Sequence, residues 1–316
     1  MTTEKSAATR EALGPTLIEL QNSGDFDLIV VDADLGKSTS ARIFQDAYPE
    51  RFFTFGIAEQ NMISAAAGFS VMGHTVFATT FAVFAEHAFD QLRMMVAQPN
   101  LNVKIVASHG GVSPGEDGAS AQSIEDFALF SSLLNFNVCV PADVIEAAAI
   151  TKAAALTPGP FYIRTARPKT SIIYTDGPQF ELGKANQLRE GDDLTIIACG
   201  LMVERSLIAA DKLKNNNINA RVLNISTLRP LDTNSLFAAA TDTGALVIAE
   251  EHLSHTGLGA MCAHAIASSI PVPIEFVGLD RYGESATWEE ALELTGLTAE
   301  KIVSASHQVL SRKKLN

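Results

Sequence analysis

The sequence predicts an α/β protein of two domains, a parallel-sheet domain followed by a smaller α/β domain. Short apolar runs that suit buried strands alternate with segments of helical periodicity along most of the chain. A length of 316 residues suits two domains of ordinary size, and a Gly-Pro step interrupts the pattern near the middle. We therefore expect a first domain at 1–170, a linker at 171–187 and a second domain at 188–316.

Composition and charge narrow the class of function. The chain is 47% hydrophobic and 19% charged, as globular proteins are, and its net charge of −13 argues against binding of nucleic acid or an anionic membrane. No apolar run suits a transmembrane helix, and the first residues lack the apolar core of a signal peptide. The three cysteines lie far apart in apolar runs, so we expect buried free thiols and a cytoplasmic location.

Strand-like and helix-like segments alternate in both halves of the chain. We expect strands at 28–31, 52–55, 74–78, 103–107, 138–140, 161–163, 194–199, 220–225, 246–251 and 274–277. We expect helices at 9–20, 57–72, 81–98, 123–134, 203–213 and 299–310, with one more after Asp143 as its N-cap and one after Gly259. The pair Gly257-x-Gly259 lacks the full glycine pattern of a dinucleotide site, so we interpret it as close packing of a helix on a strand.

Glu59 is the first candidate for a catalytic group. The apolar run 52–55 ends at Gly56, which permits a sharp turn, and helical periodicity starts at Ile57. Glu59 therefore enters the first turn of a helix among apolar neighbours, where a carboxyl group becomes a candidate proton donor or acceptor. The helix dipole also favours an acidic residue there, so its position alone leaves a purely structural role open.

The segment 56–61, Gly-Ile-Ala-Glu-Gln-Asn, resembles the Gly-Ile/Val-x-Glu segment of the transketolase family. The similarity in motif order covers nearly the whole chain. This resemblance implies a thiamine-diphosphate-binding pyrimidine-type domain followed by the transketolase C-terminal domain. It also implies that Glu59 contacts the aminopyrimidine ring of thiamine diphosphate and drives removal of the proton from its thiazolium carbon C2.

The resemblance assigns three more residues to the cofactor. Phe81 and Phe84 lie in a stretch similar to the family's aromatic segment, which implies that their rings pack against the pyrimidine. Asp34, after the first strand, is assigned to the cofactor as well. His87 stands where the family commonly has another aromatic residue, so its role stays open.

The glycine- and serine-rich loop 108–122 resembles the family's active-site loop, His-x-x-(x)-Gly-x-Asp-Gly-x-x-His-Gln. The resemblance implies that His109 helps to bind the substrate phosphate and that Asp117 recognises a sugar hydroxyl, with both counted among the catalytic residues. The family's second histidine is Ala121 here. This change removes a polar contact near the reacting carbons, so the donor could be an ordinary, branched or modified ketose phosphate.

A phosphate site for the substrate is the remaining implied feature. The resemblance places Arg10, Ser38 and Arg167 there together with His109. Arginine suits this role because its guanidinium group can bind phosphate through two hydrogen bonds. Without the resemblance, each arginine is equally typical of a solvated surface charge.

The diphosphate-binding half of a transketolase has no counterpart in the sequence. That half carries a Gly-Asp-Gly motif followed by an asparagine, and the chain contains neither this motif nor a candidate set of oxygen ligands for magnesium. We therefore expect the pyrimidine-side subunit of a split transketolase. A separate N-terminal subunit would bind the diphosphate and most of the magnesium, with two copies of each chain and active sites between chains.

The implied reaction transfers a two-carbon ketol unit from a ketose phosphate to an aldose phosphate. Three alternatives stay open. The β subunit of a 2-oxo acid dehydrogenase decarboxylase shares the Gly-Ile-Ala-Glu-Gln segment and the domain order, although the loop 115–122 is closer to transketolase. The related synthase of deoxyxylulose phosphate is normally one long chain. A non-catalytic assembly subunit would suit the loss of the histidine at Ala121, whereas Glu59 and Asp117 argue against it.

Overall fold

Strands and helices alternate through residues 6–175, 177 and 180–313, which the computed structural model describes. The strands are β1 (Ser6–Ala8), β2 (Leu28–Asp32), β3 (Phe52–Thr54), β4 (Thr75–Phe81), β5 (Val103–Ser108), β6 (Asn137–Cys139), β7 (Phe161–Arg164), β8 (Lys169–Ser171), β9 (Asn186–Arg189), β10 (Leu194–Ala198), β11 (Ala220–Asn224), β12 (Thr227–Arg229), β13 (Leu246–Leu253) and β14 (Ile274–Leu279). The α-helices are α1 (Leu13–Ser23), α2 (Arg42–Ala47), α3 (Glu59–Val71), α4 (Ala82–Ala85), α5 (Phe89–Gln91), α6 (Asp126–Ser132), α7 (Val144–Leu156), α8 (Met202–Lys214), α9 (Thr233–Thr243), α10 (Leu258–Ala267), α11 (Trp288–Thr295) and α12 (Ala299–Lys313).

A seven-stranded sheet forms the centre of the first domain. Its order is β12-β6-β7-β5-β4-β2-β3, and its strands are parallel except β12, which pairs antiparallel with β6. Strand β2 is buried on both faces, because Val31 enters one core cluster and Val30 enters another. Since parallel strands end at the same edge, the loops after β2, β3, β4, β5 and β7 converge there, where open α/β sheets bind ligands.

A five-stranded sheet of order β14-β13-β10-β11-β9 forms the second domain, with β9 antiparallel to its neighbour. Leu236 of α9 and Leu258 of α10 share one apolar cluster with Tyr162 of β7. The two domains therefore pack through a continuous core, and β12 leaves the second domain to join the sheet of the first. These observations confirm a two-domain α/β fold, whereas the boundaries at 170 and 188 stay a prediction.

Several local predictions are confirmed. The Asp143 side chain caps α7 by accepting a hydrogen bond from the Glu146 main-chain N–H at 2.8 Å. All three cysteines are buried and free. Within the described residues, none of the helices combines the length and the hydrophobicity needed to span a bilayer.

Three predictions near the ligand-binding edge are wrong in detail. The run 52–55 is not fully buried, because β3 is an edge strand and leaves Phe53 38% exposed. The helix starts at Glu59 rather than Ile57, and the Ile57 side chain is 85% exposed. The predicted helix at 81–98 is a series of short α-, 3₁₀- and π-helical turns after β4, since apolar periodicity does not separate these helix types.

The second domain contains elements that the sequence patterns did not predict. Helices α9 and α11 and the short strand β12 lie between the predicted segments. Each of the two helices starts at a side-chain cap, Asp232 for α9 and Thr287 for α11. These caps are the signals that could have predicted both helices.

Candidate active site

Glu59 lies at the first position of α3, with only 5% of its surface exposed. The turn before it passes through Gly56, whose φ of 67° lies in the left-handed region. The Glu59 Oε2 atom is 3.7 Å from Nδ1 of His87, and the neighbouring Gln60 side chain donates to the His87 carbonyl oxygen at 3.0 Å. The start of α3 is therefore attached to the segment that follows β4.

Four rings form a row that ends beside Glu59. The His109 ring stacks on Phe81 with centroids 3.7 Å apart, and Phe81 stacks on Phe84 at 5.6 Å with an interplanar angle of 9°. His87 continues the row at 5.7 Å from Phe84. The structure thus brings together the two predicted phenylalanines, and His87 takes part in the row as an aromatic residue would.

His109 is buried in this row and has a left-handed φ of 61°. Its Nδ1 lies 2.9 Å from the Ser108 hydroxyl. Burial, with the positive charges of Arg10 and Arg167 nearby, lowers the pKa of His109 to about 3. The imidazole is therefore neutral at physiological pH, so it can offer a ligand a hydrogen bond but no positive charge.

Two guanidinium groups lie next to His109. Arg10 is half-buried and donates to the Ser38 carbonyl oxygen at 2.8 Å. Burial, followed by the charge of Arg167, lowers the pKa of Arg10. Arg167 contacts Asp117 Oδ2 at 3.8 Å and donates to the carbonyl oxygen of Pro114. The five residues predicted for the substrate therefore gather in one place, although Ser38 contributes its carbonyl group to the contact with Arg10.

Asp34 lies on the same edge, after β2, with an exposed side chain and a left-handed φ of 65°. Its neighbour Asp32 is buried and accepts hydrogen bonds from the Leu35 main-chain N–H and the Thr79 hydroxyl, each at 3.1 Å. Burial raises the pKa of Asp32. The assignment of Asp34 to the cofactor stays a prediction.

A buried charge cluster between the domains is the feature that the sequence interpretation missed. The Arg164 guanidinium group is 4% exposed, lies 3.5 Å from Asp126 and donates twice to the Glu251 carbonyl oxygen at 3.0 Å. A Cβ atom on Gly110 would collide with Arg164, and one on Gly111 would collide with Glu251. The Gly-Gly pair after β5 was therefore a sequence signal for this cluster, because only glycine lets the Arg164 and Glu251 side chains pack directly against the main chain there.

Glu250, the neighbour of Glu251, accepts hydrogen bonds from the main-chain N–H groups of Leu258 at 2.6 Å and Gly259 at 2.7 Å. A Cβ on Gly257 would collide with the Glu250 carboxyl group. Burial raises the pKa of Glu250 to about 7. The pair Gly257-x-Gly259 therefore serves close packing of α10 on β13, as predicted.

The side chains at the edge fit one part of thiamine diphosphate. The ring row and the buried Glu59 carboxyl group suit an aromatic ring with a nitrogen that hydrogen-bonds to an acid. Among the described residues, no group of three or more His, Cys, Asp or Glu could hold a metal ion.

Comparisons with known proteins agree with this geometry. The sequence model described as "Transketolase, pyrimidine binding domain" matches residues 5–171, and "Transketolase, C-terminal domain" matches residues 183–302. A protein of Methanocaldococcus jannaschii, named as a transketolase C-terminal section, is 41% identical over 93% of both chains. Human transketolase is 35% identical over 96% of this chain but only 49% of its own length, so the chain spans about half of that relative.

Two further proteins match almost end to end. The 6-deoxy-6-sulfo-D-fructose transketolase subunit of a Clostridium species is 37% identical over 96% of this chain and 95% of its own. A solved structure, "Split gene transketolase, inactive beta4 tetramer", superposes with a TM-score of 0.89 at 42% identity, covering 98% of this chain and all of that one. The chain therefore belongs to the transketolase family and contains its pyrimidine-binding and C-terminal domains.

Proposed function

We propose that this chain is the pyrimidine-side subunit of a split transketolase that uses thiamine diphosphate and magnesium. With a separate diphosphate-binding subunit it transfers a two-carbon ketol unit between a ketose phosphate and an aldose phosphate. The buried Glu59 at the end of the ring row carries this proposal, because it is a carboxyl group held beside a surface for an aromatic ring.

The residues of this chain have distinct roles in the proposal. Phe81 and Phe84 bind and orient the pyrimidine ring by stacking. Glu59 holds a proton at the pyrimidine nitrogen, and the hydrogen bond from Gln60 to the His87 carbonyl oxygen holds the helix turn that carries Glu59. Thiamine diphosphate, when bound, supplies the carbanion chemistry of the reaction. Asp34 contacts the cofactor from the loop after β2.

The arginine pair binds the acidic end of the sugar. Arg10 and Arg167 are close enough to the buried, neutral His109 for their charges to affect its pKa, so the anion gains two charged partners and one neutral hydrogen-bond partner. Ser38 completes this end of the site. Asp117, beside Arg167, accepts a hydrogen bond from a sugar hydroxyl.

Exposed apolar side chains on the first domain support a separate partner subunit. Ile57 lies two residues before Glu59, Val71 and Met72 lie at the far end of α3, and Met94 and Met95 belong to the π-helical turn. Exposed apolar patches mark sites of protein association. We place the diphosphate-binding subunit against Ile57, the exposed residue next to Glu59, in a cytoplasmic assembly with two copies of each chain.

The first experiment measures binding of thiamine diphosphate and magnesium by this chain alone and in a mixture with a diphosphate-side subunit. We expect tight binding and ketol transfer only in the mixture. In the complex, Glu59→Gln should reduce kcat at least about 100-fold, which is typical for loss of an acid–base group. Glu50→Gln, at an exposed glutamate after α2, is the matched control and should leave kcat unchanged.

Two outcomes would contradict the proposal. Tight magnesium-dependent cofactor binding by the isolated chain would mean that it contains its own diphosphate site. Full turnover by the Glu59→Gln complex would remove the assigned acid–base role. Release of carbon dioxide from pyruvate would instead favour the 2-oxo acid dehydrogenase class.

A sulfonated ketose is the second candidate donor. Ala121, which is buried in a 3₁₀ turn, stands where the family has a histidine, and one relative is named for a 6-deoxy-6-sulfo-fructose substrate. Arg10 and Arg167 would bind a sulfonate as they would a phosphate. A donor panel with fructose 6-phosphate, xylulose 5-phosphate and 6-deoxy-6-sulfofructose, compared by kcat/KM, decides between the two.

A further inference from the structure

The second domain contacts the main chain on both sides of Asp117. We call residues 113–122 the substrate loop and residues 283–288 of the second domain the clamp segment. The Ser285 hydroxyl group donates to the Glu116 carbonyl oxygen at 2.7 Å. A Cβ on Gly118 would lie 3.6 Å from the Ser285 Cβ, so this serine packs against the loop both before and after Asp117.

The second domain also contacts other positions of the substrate loop, including both of its ends. A Cβ on Gly115 would lie 3.0 Å from the Trp288 main-chain nitrogen, so the loop backbone packs directly on the start of α11. Gln122 donates to the Glu284 carbonyl oxygen at 3.1 Å, and a Cβ on Gly283 would collide with the Gln122 side chain. At the other end, the Ser113 main-chain N–H donates to Glu251 at 2.7 Å.

The clamp segment is itself fixed to the second domain. Thr287 and Glu290 form a reciprocal capping box at the start of α11, with the Thr287 N–H donating to the Glu290 carboxyl group at 3.0 Å. Trp288 packs against the core of the second domain, and the Arg205 guanidinium group lies 5.7 Å from its ring centre. The segment therefore presents a rigid surface to the loop.

We propose that the clamp segment is a positioning element, through which the C-terminal domain holds Asp117 at the substrate. The Asp117 side chain is 42% exposed and contacts Arg167 only at 3.8 Å, so its position depends on the main chain that carries it. A misplacement of about 1 Å is enough to weaken the productive contact of such a group with substrate. The proposal rests on the substrate role that the proposed function gives to Asp117. The contacts between the clamp segment and the substrate loop do not depend on that role.

The test uses Ser285→Ala, which removes one hydrogen bond at an exposed residue and leaves the fold intact. In the isolated chain, the Ser285→Ala variant should show faster hydrogen exchange than the wild type at the amides of 113–122 and unchanged exchange elsewhere. The matched control is Ser311→Ala on α12, where the hydroxyl donates to the Gln308 carbonyl oxygen at 2.7 Å, far along the chain from the clamp segment. Circular dichroism spectra and Tm verify that both variants fold.

Kinetics of the complete complex give the functional half of the test. Ser285→Ala should raise the KM for the ketose donor about three- to tenfold, the effect of one lost hydrogen bond, with kcat and the Kd for thiamine diphosphate unchanged. Gly283→Ala should raise the KM further, because its Cβ displaces Gln122. If the contact between the clamp segment and the substrate loop had only a structural role, Ser285→Ala, Gly283→Ala and Ser311→Ala would all have the same KM for the ketose donor.

Each result bears on the proposal. Unchanged exchange of the loop in Ser285→Ala overturns it, as does faster exchange with an unchanged KM. Faster exchange with the raised KM supports it. If the wild-type complex transfers no ketol unit, the proposed function fails, while the exchange experiment still decides whether the clamp segment holds the loop.

Discussion

Lys104 gives a quantitative test of the structure through the pH dependence of stability. Its side chain is fully buried in β5, donates to the Thr157 carbonyl oxygen at 2.7 Å and lies 4.5 Å above the Phe161 ring. Burial lowers the pKa of Lys104 from 10.5 to about 7. Between these two values the unfolded chain binds one more proton at this residue than the folded chain does.

The sign follows from this difference in bound protons. Raising the pH through this window favours the folded state by about 1.4 kcal/mol per pH unit from this residue, until the unfolded lysine also loses its proton. In Lys104→Met this contribution is absent. From pH 7.5 to 9.5 the wild type should therefore gain about 2–3 kcal/mol of unfolding free energy relative to the variant.

Guanidinium denaturation followed by circular dichroism at pH 7.5, 8.5 and 9.5 measures this gain. The comparison cancels the titration of other groups, which the two proteins share. Lys152→Met is the matched control, since Lys152 forms a half-exposed pair with Glu19 at 2.7 Å and its replacement leaves the buried Lys104 in place. If the free energy of unfolding differed between wild type and Lys104→Met by the same amount at all three pH values, the conclusion that burial lowers the pKa of Lys104 would be refuted.

Three further predictions follow from single residues. Gly111→Ala forces a Cβ against Glu251 at a left-handed φ of 74°, so Tm should fall by the equivalent of about 3 kcal/mol or more. Gly68→Ala, on the exposed face of α3 with open space around it, should instead stabilise the isolated chain by about 1 kcal/mol in the same thermal melt, and equal Tm changes in the two variants would contradict both assignments. Arg167→Ala should raise the KM for the ketose donor at least about tenfold with a smaller effect on kcat, and an unchanged KM would remove Arg167 from the phosphate site.

Strand patterns predicted where along the chain the candidate residues lie, whereas their assignment to the site came from the family resemblance. The strands are apolar runs, and in a parallel sheet each run ends at the same edge, so the residues that follow them had to meet. Glu59 follows β3, Phe81 is the last residue of β4 and His109 follows β5, and the three lie within one row of contacts. The N-cap at Asp143 is equally local, because side chain and main chain lie three residues apart.

Local sequence does not predict which groups in the site are buried, exposed or charged. The lowered pKa of His109 depends first on its burial and then on the charges of Arg10 and Arg167, which lie far from it along the chain. Likewise Ile57 is exposed although it continues an apolar pattern, because it lies in the turn between β3 and α3 and the pattern does not show where the helix begins. Burial and charge are sums over neighbours that only the packed chain brings together.

The sequence by itself determined the class of fold and the order of the main strands of both sheets, because these depend on periodicity and strand ends. Only the tertiary structure decided that Arg164 is buried between Asp126 and Glu251, that β12 crosses into the first sheet and that the second domain holds the substrate loop. Each of these contacts joins residues that are distant in the chain, and their energies come from desolvation and close approach, which sequence spacing does not encode.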